Sequence, residues 1–272
     1  MPNVAVEPET EKKSRDLGSM SLLQHLEELR RRIIYSVAAA AICTCVGWWY
    51  AKPLFEKMSI PIKQALINAH QDPTLSYLNP TDPFNTYLKI GLIAGLFIAS
   101  PIVLYQVWMF ISPGLYRNEK RYILPFLFFS VGLFVSGGIF GYKIVYPGAL
   151  DFLITQATNF KANITITEYT SLFLTIMIGL GIIFELPIVV GFAALMGVVT
   201  PKFLFKHIRG AIFSIFVVAA VLTPTTDPLN MTIFAAPMVM LYLVSIAIAW
   251  FVHPAQRRKR REKRAKESGD RP

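Results

Sequence analysis

Long apolar stretches recur along most of this chain, and they constrain its fold more than any other feature. A helix crossing the hydrocarbon core of a bilayer needs about 20 predominantly apolar residues. Stretches of that kind lie at 33–51, 86–111, 122–146, 170–199 and 232–252, with a shorter one at 208–222. At a rise of about 1.5 Å per residue the short stretch reaches roughly 22 Å. The chain is 54% hydrophobic with a mean hydropathy of +0.47, above the roughly 45–50% apolar content of soluble domains. The pattern predicts an all-α integral membrane protein with six transmembrane helices. Pro101, Pro125, Pro187 and Pro237 fall inside the stretches. Each removes an internal hydrogen bond and bends its helix, so a curved, concave bundle is expected. The first stretch is too long for a cleaved signal peptide. It ends in Trp48, Trp49 and Tyr50, without a small-residue cleavage site. Those aromatics suit a membrane interface.

The net charge is +10, which by itself raises nucleic acid or an anionic membrane surface as partners. The position of the charge decides between them. Nine of the 27 Lys and Arg residues lie in 257–272, and no basic domain with interleaved aromatics exists, so nucleic-acid binding is not expected. Lys and Arg are concentrated in 1–32, 112–121, 198–209 and the C-terminal tail. The alternate loops carry only Lys57, Lys63, Lys143 and Lys161. The positive-inside rule then places both termini in the cytoplasm, with the protein expected in an inner membrane. One membrane domain is expected over 21–252. It is preceded by a disordered cytoplasmic segment, 1–20, and followed by a basic cytoplasmic tail, 253–272, that meets solvent and anionic lipid. The first outer loop contains Pro53, Pro61, Pro73, Pro80 and Pro83. These break any single long helix and leave room for short helices lying over the membrane.

Motifs for soluble-style chemistry are absent. The sequence has no G-x-S-x-G, no P-loop and no H-E-x-x-H, and its four histidines fall outside the stretches or at their ends. Cys43 and Cys45 form a C-x-C pair without the spacing of a zinc site, and read as small packing residues. No metal, cofactor or enzymatic activity is expected.

Three acidic positions stand out. Glu185 is the one carboxylate in the middle of an apolar stretch. A charge there costs several kcal/mol, so the group is protonated, partnered or facing water, and such groups usually mark function. The segment SLLQHLEELRRRI, 21–33, places Leu22, Leu26, Leu29 and Ile33 at helical spacing. It reads as an amphipathic helix on the cytoplasmic face. Its Glu27 and Glu28 stand four residues before Arg31 and Arg32. Simple i,i+4 pairs worth a few tenths of a kcal/mol are therefore one reading of this run. The third carboxylate, Glu119, lies in SPGLYRNEKR on the same membrane face, beside Arg117 and Arg121. Read blandly, it is a solvated loop charge. Two rim carboxylates are also suited to receive two guanidinium groups bidentately.

At these residues the sequence resembles the TatC family, the multispanning receptor of the twin-arginine protein translocase. The resemblance covers roughly 20–250 and rests on ordered motifs. These are HLEELRRR at 25–32, Pro61, NPTDPFNTYLK at 79–89, SPIVLYQVWMFISPGLYRNEKR at 100–121, FELPI at 184–188 and LTPTTDP at 222–228. It implies a receptor for signal peptides with consecutive arginines on folded proteins. It also implies single-span TatA and TatB partners, assembly with further copies of itself, and use of the proton-motive force. Glu28 and Glu119 match the family's signal-binding carboxylates. Arg30, Phe110, Leu115, Tyr116 and Arg117 match positions associated with that surface. Pro61 matches an outer-loop proline needed for activity, Glu185 the acidic residue inside span four, and Asp227 an acidic residue in the last outer turn. Thr223 matches the place where the family's partner helices dock. The chain departs from the family at the start of span six, where Asn230 and Met231 stand near a usual glutamine. A rival reading, a proton-coupled carrier using Glu185, needs a mid-membrane substrate site built from unwound helices or matching repeats. The sequence contains no internal repeat and one midplane charge.

Overall fold

The computed structural model describes residues 22–111, 123–156, 163–223 and 228–252. Among them the chain is helical throughout apart from connecting turns and one isolated bridge between Ser76 and Thr165. Helix α1 spans Leu22–Trp49, α2 Ala51–Met58, α3 Ile60–Asn68 and α4 Asp82–Ile111. Helix α5, Ile123–Phe140, runs through a π-helical turn at Gly141–Val145 into α6, Tyr146–Gln156. Then come α7, Ile166–Ile183, α8, Leu186–Leu195, α9, Pro201–Lys206, α10, Ile208–Leu222, and α11, Pro228–Val252.

Five helical runs are long and apolar enough to cross a membrane: Leu23–Trp49, Asp82–Ile111, Leu124–Gln156, Ile166–Leu195 and Met231–Val252. The shorter Ile208–Leu222 is the sixth and coincides with the short stretch expected from sequence. The protein is thus a multi-pass, all-α membrane protein. The amphipathic segment and the first span form one uninterrupted helix. Of the expected apolar stripe, Leu26 and Ile33 are exposed and Leu29 is half-buried, an apolar face of the kind that meets lipid.

Close backbone approach fixes α1 against α4. A Cβ on Gly91 would stand 2.8 Å from the Trp48 Cα, and one on Gly95 would stand 2.5 Å from the Thr44 Cα. Only glycine permits this contact, the small-residue packing that replaces hydrophobic driving force inside a bilayer. Helix α5 packs on α7, and α8 and α10 pack on α11. The main core gathers Tyr146, Ile176, Leu180, Phe234 and Met238, all nearly inaccessible.

Short helices occupy the first outer loop, as the prolines predict. Pro61 stands in the first turn of α3, where its missing N–H costs nothing. Behind it Ile62 and Leu66 are buried and α3 packs on α6. Two tyrosines hold the end of α2. Tyr169 donates its hydroxyl to the Met58 carbonyl, and Tyr142 donates to the Lys57 carbonyl at 2.9 Å. Nearby, Asp82 accepts from the backbone N–H groups of Leu78 and Asn79 at 3.1 and 2.9 Å, closing the turn into α4. The Ser76 N–H donates to Ile164 and the Ile166 N–H to Ser76, at 3.0 and 2.8 Å, tying this loop to the start of α7.

Span four differs from its expected form. The stretch 170–199 reads as one bent helix, but the chain turns at Phe184–Glu185 and α8 starts afresh at Leu186. Pro187 cannot donate to the carbonyl four residues back. It instead occupies the first turn of the new helix. Span three also runs past its expected end, to Gln156.

Candidate functional site

Two polar constellations stand out. The first lies at the rim where α1 begins. Arg32 donates from Nε to Glu28 Oε1 at 3.0 Å and again from Nη2 to the same oxygen. Its Nη1 donates to Gln106 Oε1 of α4 at 3.2 Å. The Arg32 and Glu28 side chains are only 13% and 11% exposed. Of the two i,i+4 pairs expected from spacing, Glu28–Arg32 is formed, in a partly buried setting that spacing does not reveal. Glu28 Oε2 is buried with no hydrogen-bond partner among the described residues. Glu28 and the exposed Arg30 line a cavity of about 580 Å³ with Gln24, Glu27, Arg31 and Tyr35. Phe110, next to the last residue of α4, stacks on His25 with centroids 4.4 Å apart and planes 18° from parallel. That contact joins α1 to the end of α4 one helical turn before Glu28.

Glu28, Arg30 and Phe110 therefore share one rim. Leu115, Tyr116, Arg117 and Glu119 lie outside the described residues, as does Asp227. By the chain path Pro61 and Thr223 belong to the opposite rim. Thr223 is buried and caps α10, its Oγ1 donating to the Ala220 carbonyl at 3.3 Å.

The second constellation is at Glu185, in the break between α7 and α8. Ser130 of α5 donates to Glu185 Oε2 at 2.5 Å, and the Trp108 indole N–H donates to Ser130 Oγ at 3.2 Å. Indole only donates, so the serine hydrogen is left for the carboxylate and the chain of bonds runs one way. Sequence reasoning missed Trp108 and Ser130, which are distant in the chain and carry no spacing signal. The other oxygen, Glu185 Oε1, is buried and without a partner among the described residues. Glu185 and Ser130 are polar points in the wall of a cavity of about 390 Å³, otherwise lined largely by apolar residues such as Leu104, Ile182 and Phe192. Trp108 is 3% exposed and packs against Phe126 and Phe192, with centroids 5.7 and 4.9 Å away.

Among the described residues no group of three or more His, Cys, Asp or Glu could hold a metal ion. Cys43 and Cys45 are free thiols. Cys45 is exposed, so a packing role fits only the half-buried Cys43.

Residues 24–237 match the family described as Sec-independent protein translocase protein (TatC). The chain is 53% identical over 271 residues to the Sec-independent protein translocase protein TatC of Koribacter versatilis, covering 99% of this chain and 100% of that one. It is 39% identical over 237 residues to the TatC of Helicobacter pylori, covering 86% and 90%. It is 36% identical over 235 residues to the TatCy of Bacillus subtilis, again covering 86% and 90%. The structure resembles a crystal structure of a twin-arginine translocase receptor, TatC, with a TM-score of 0.74 and 36% identity, covering 84% of this chain and 99% of that one. Members of this family are components of a protein translocase and not enzymes, and the chain belongs to the TatC family.

Proposed function

We propose that this chain is the receptor and scaffold subunit of a twin-arginine translocase. It binds signal peptides carrying two consecutive arginines on folded proteins. The observation that carries this reading is the partly buried Glu28, held in the wall of a rim cavity beside Arg30 and close to the Phe110 end of α4. A carboxylate there can take a guanidinium in fork geometry, which a lysine cannot reproduce. Glu119, in the segment that follows Phe110, supplies the second carboxylate, with Leu115, Tyr116 and Arg117 on the same surface. The concentration of Lys and Arg in alternate loops puts this rim, and both termini, in the cytoplasm. The apolar part of the signal then lies along the concave face of the bundle. Single-span TatA and TatB helices dock at the opposite rim and at the break in span four, through Thr223, Asp227 and Glu185. The outer loop held by Pro61 braces that rim, and several copies assemble. Transport draws on the proton-motive force.

Charge reversal tests this directly. Glu28→Lys and Glu119→Lys should each block export of twin-arginine substrates while the protein stays folded in the membrane. Normal export by both variants contradicts the reading. A carrier site calls for unwound helices, whereas Phe184 and Glu185 keep helical backbone angles through the turn; Glu185→Gln separates the alternatives. A carrier loses small-solute uptake, whereas a translocase receptor loses protein export or partner assembly.

A further inference from the structure

A further cavity, of about 380 Å³, opens where α1, α2 and α4 meet, away from both constellations described above. Gly47, Ala94 and Ile98 line its inner part, and Tyr50, Leu54 and Lys57 line its mouth. We propose that this cavity holds one acyl chain of an anionic phospholipid of the outer leaflet, with the lipid phosphate on Lys57.

Depth is the first support. Trp48, Trp49 and Tyr50 end the first span as exposed aromatics, the residues that sit at headgroup level. Gly91 of α4 touches Trp48 there. Ile98 stands seven residues further along α4, about 10 Å deeper at 1.5 Å per residue. The cavity therefore runs from headgroup level into the hydrocarbon, the path of a lipid chain. Apart from Tyr50 and Lys57 its lining side chains are apolar, so water finds few partners inside it.

The mouth supplies the second support. The Lys57 ammonium and the Tyr50 hydroxyl, both on exposed residues, have no hydrogen bond or ion pair among the described residues. An ammonium and a phenol are both donors for phosphate oxygens. The root of Lys57 is fixed, because Tyr142 donates to its carbonyl at 2.9 Å and Tyr169 donates to the next carbonyl, that of Met58. Along α2 and α3, Lys52, Lys57 and Lys63 stand against the single carboxylate of Glu56. That local excess of positive charge favours an anionic headgroup over a zwitterionic one.

The test uses the full-length protein in lipid nanodiscs that contain a trace of phosphatidylglycerol with a diazirine at the end of one acyl chain. Phosphatidylcholine with the same chains is the comparison probe. After illumination, adducts are mapped by peptide mass spectrometry in the wild type, Lys57→Gln and Leu54→Trp, each checked for an unchanged thermal midpoint. In the wild type, adducts at 94–98 should be several-fold denser than at Val217, an exposed position of α10. The phosphatidylglycerol probe should also label 94–98 more than the phosphatidylcholine probe does. Lys57→Gln should lower labelling at 94–98 by roughly fivefold, the weight of one lysine beside an anionic headgroup. Leu54→Trp narrows the mouth at unchanged charge and should lower it in the same direction, and Val217 should stay constant in both. Labelling at 94–98 that is no denser than at Val217, or that is unaltered in both folded variants, overturns the proposal. Equal labelling by the two probes overturns the anionic headgroup. A photoreactive residue at position 98 in native membranes separates the occupants. A lipid adduct there supports the proposal, and a protein adduct, from a second copy or another span, overturns it.

Discussion

Ser130 and Glu185 lie on different helices, α5 and the α7–α8 break, and share a hydrogen bond of 2.5 Å that Trp108 orients from a third helix. The intramembrane carboxylate is thus partnered at one oxygen and open to a cavity. Ser130→Ala removes the donor from Glu185 and the acceptor from the buried Trp108 indole. Leaving such groups unpaired costs about 1–3 kcal/mol. The thermal midpoint in detergent should fall clearly for Ser130→Ala. Glu185→Gln keeps an acceptor for the serine and should fall less.

Gly95 controls how closely α1 approaches α4. A Cβ at this position would stand only 2.5 Å from the Thr44 Cα, a clash that no side-chain rotation relieves. Gly95→Leu should separate the helices and cost about 1–3 kcal/mol or more, as overpacking does. The check is the midpoint of thermal unfolding together with protease sensitivity of the Glu28 rim. Gly132 has open space around it, so Gly132→Ala is the matched control and should behave like the wild type.

Tyr169 anchors the outer helices through the Met58 carbonyl, and the contact is buried. Tyr169→Phe should destabilise by about 1–3 kcal/mol because the carbonyl loses its donor away from water. Tyr142→Phe breaks an exposed bond to Lys57, and water can replace it, so its effect should be under about 1 kcal/mol. Unfolding midpoints of the two variants, compared side by side, check the order.

Much of this molecule is legible in its sequence, because bilayer thickness converts directly into apolar length. The six spans follow from that rule, and α10 begins and ends where the 208–222 stretch does. The prolines of the first outer loop likewise announce α2 and α3. Other features depend on groups far apart in the chain. The Glu28–Arg32 pair is visible as i,i+4 spacing, but its burial and its anchor on Gln106 are not, since Gln106 arrives on α4. The break at Glu185 is concealed because Pro187 has two meanings, a kink inside one helix or the first turn of another. The π turn at Gly141–Val145 has no periodicity signal. The partners of Glu185 come from α4 and α5, so the sequence marks the carboxylate as costly without saying what offsets the cost.

Crosslinking in inverted membrane vesicles puts the receptor reading to its sharpest test. A photoreactive group is placed at position 119 and a twin-arginine signal peptide is added from the cytoplasmic side. A receptor should give a crosslink that disappears when the peptide's two arginines become lysines. A folded, correctly oriented protein that gives no crosslink, or gives one equally strong with lysines, contradicts that reading.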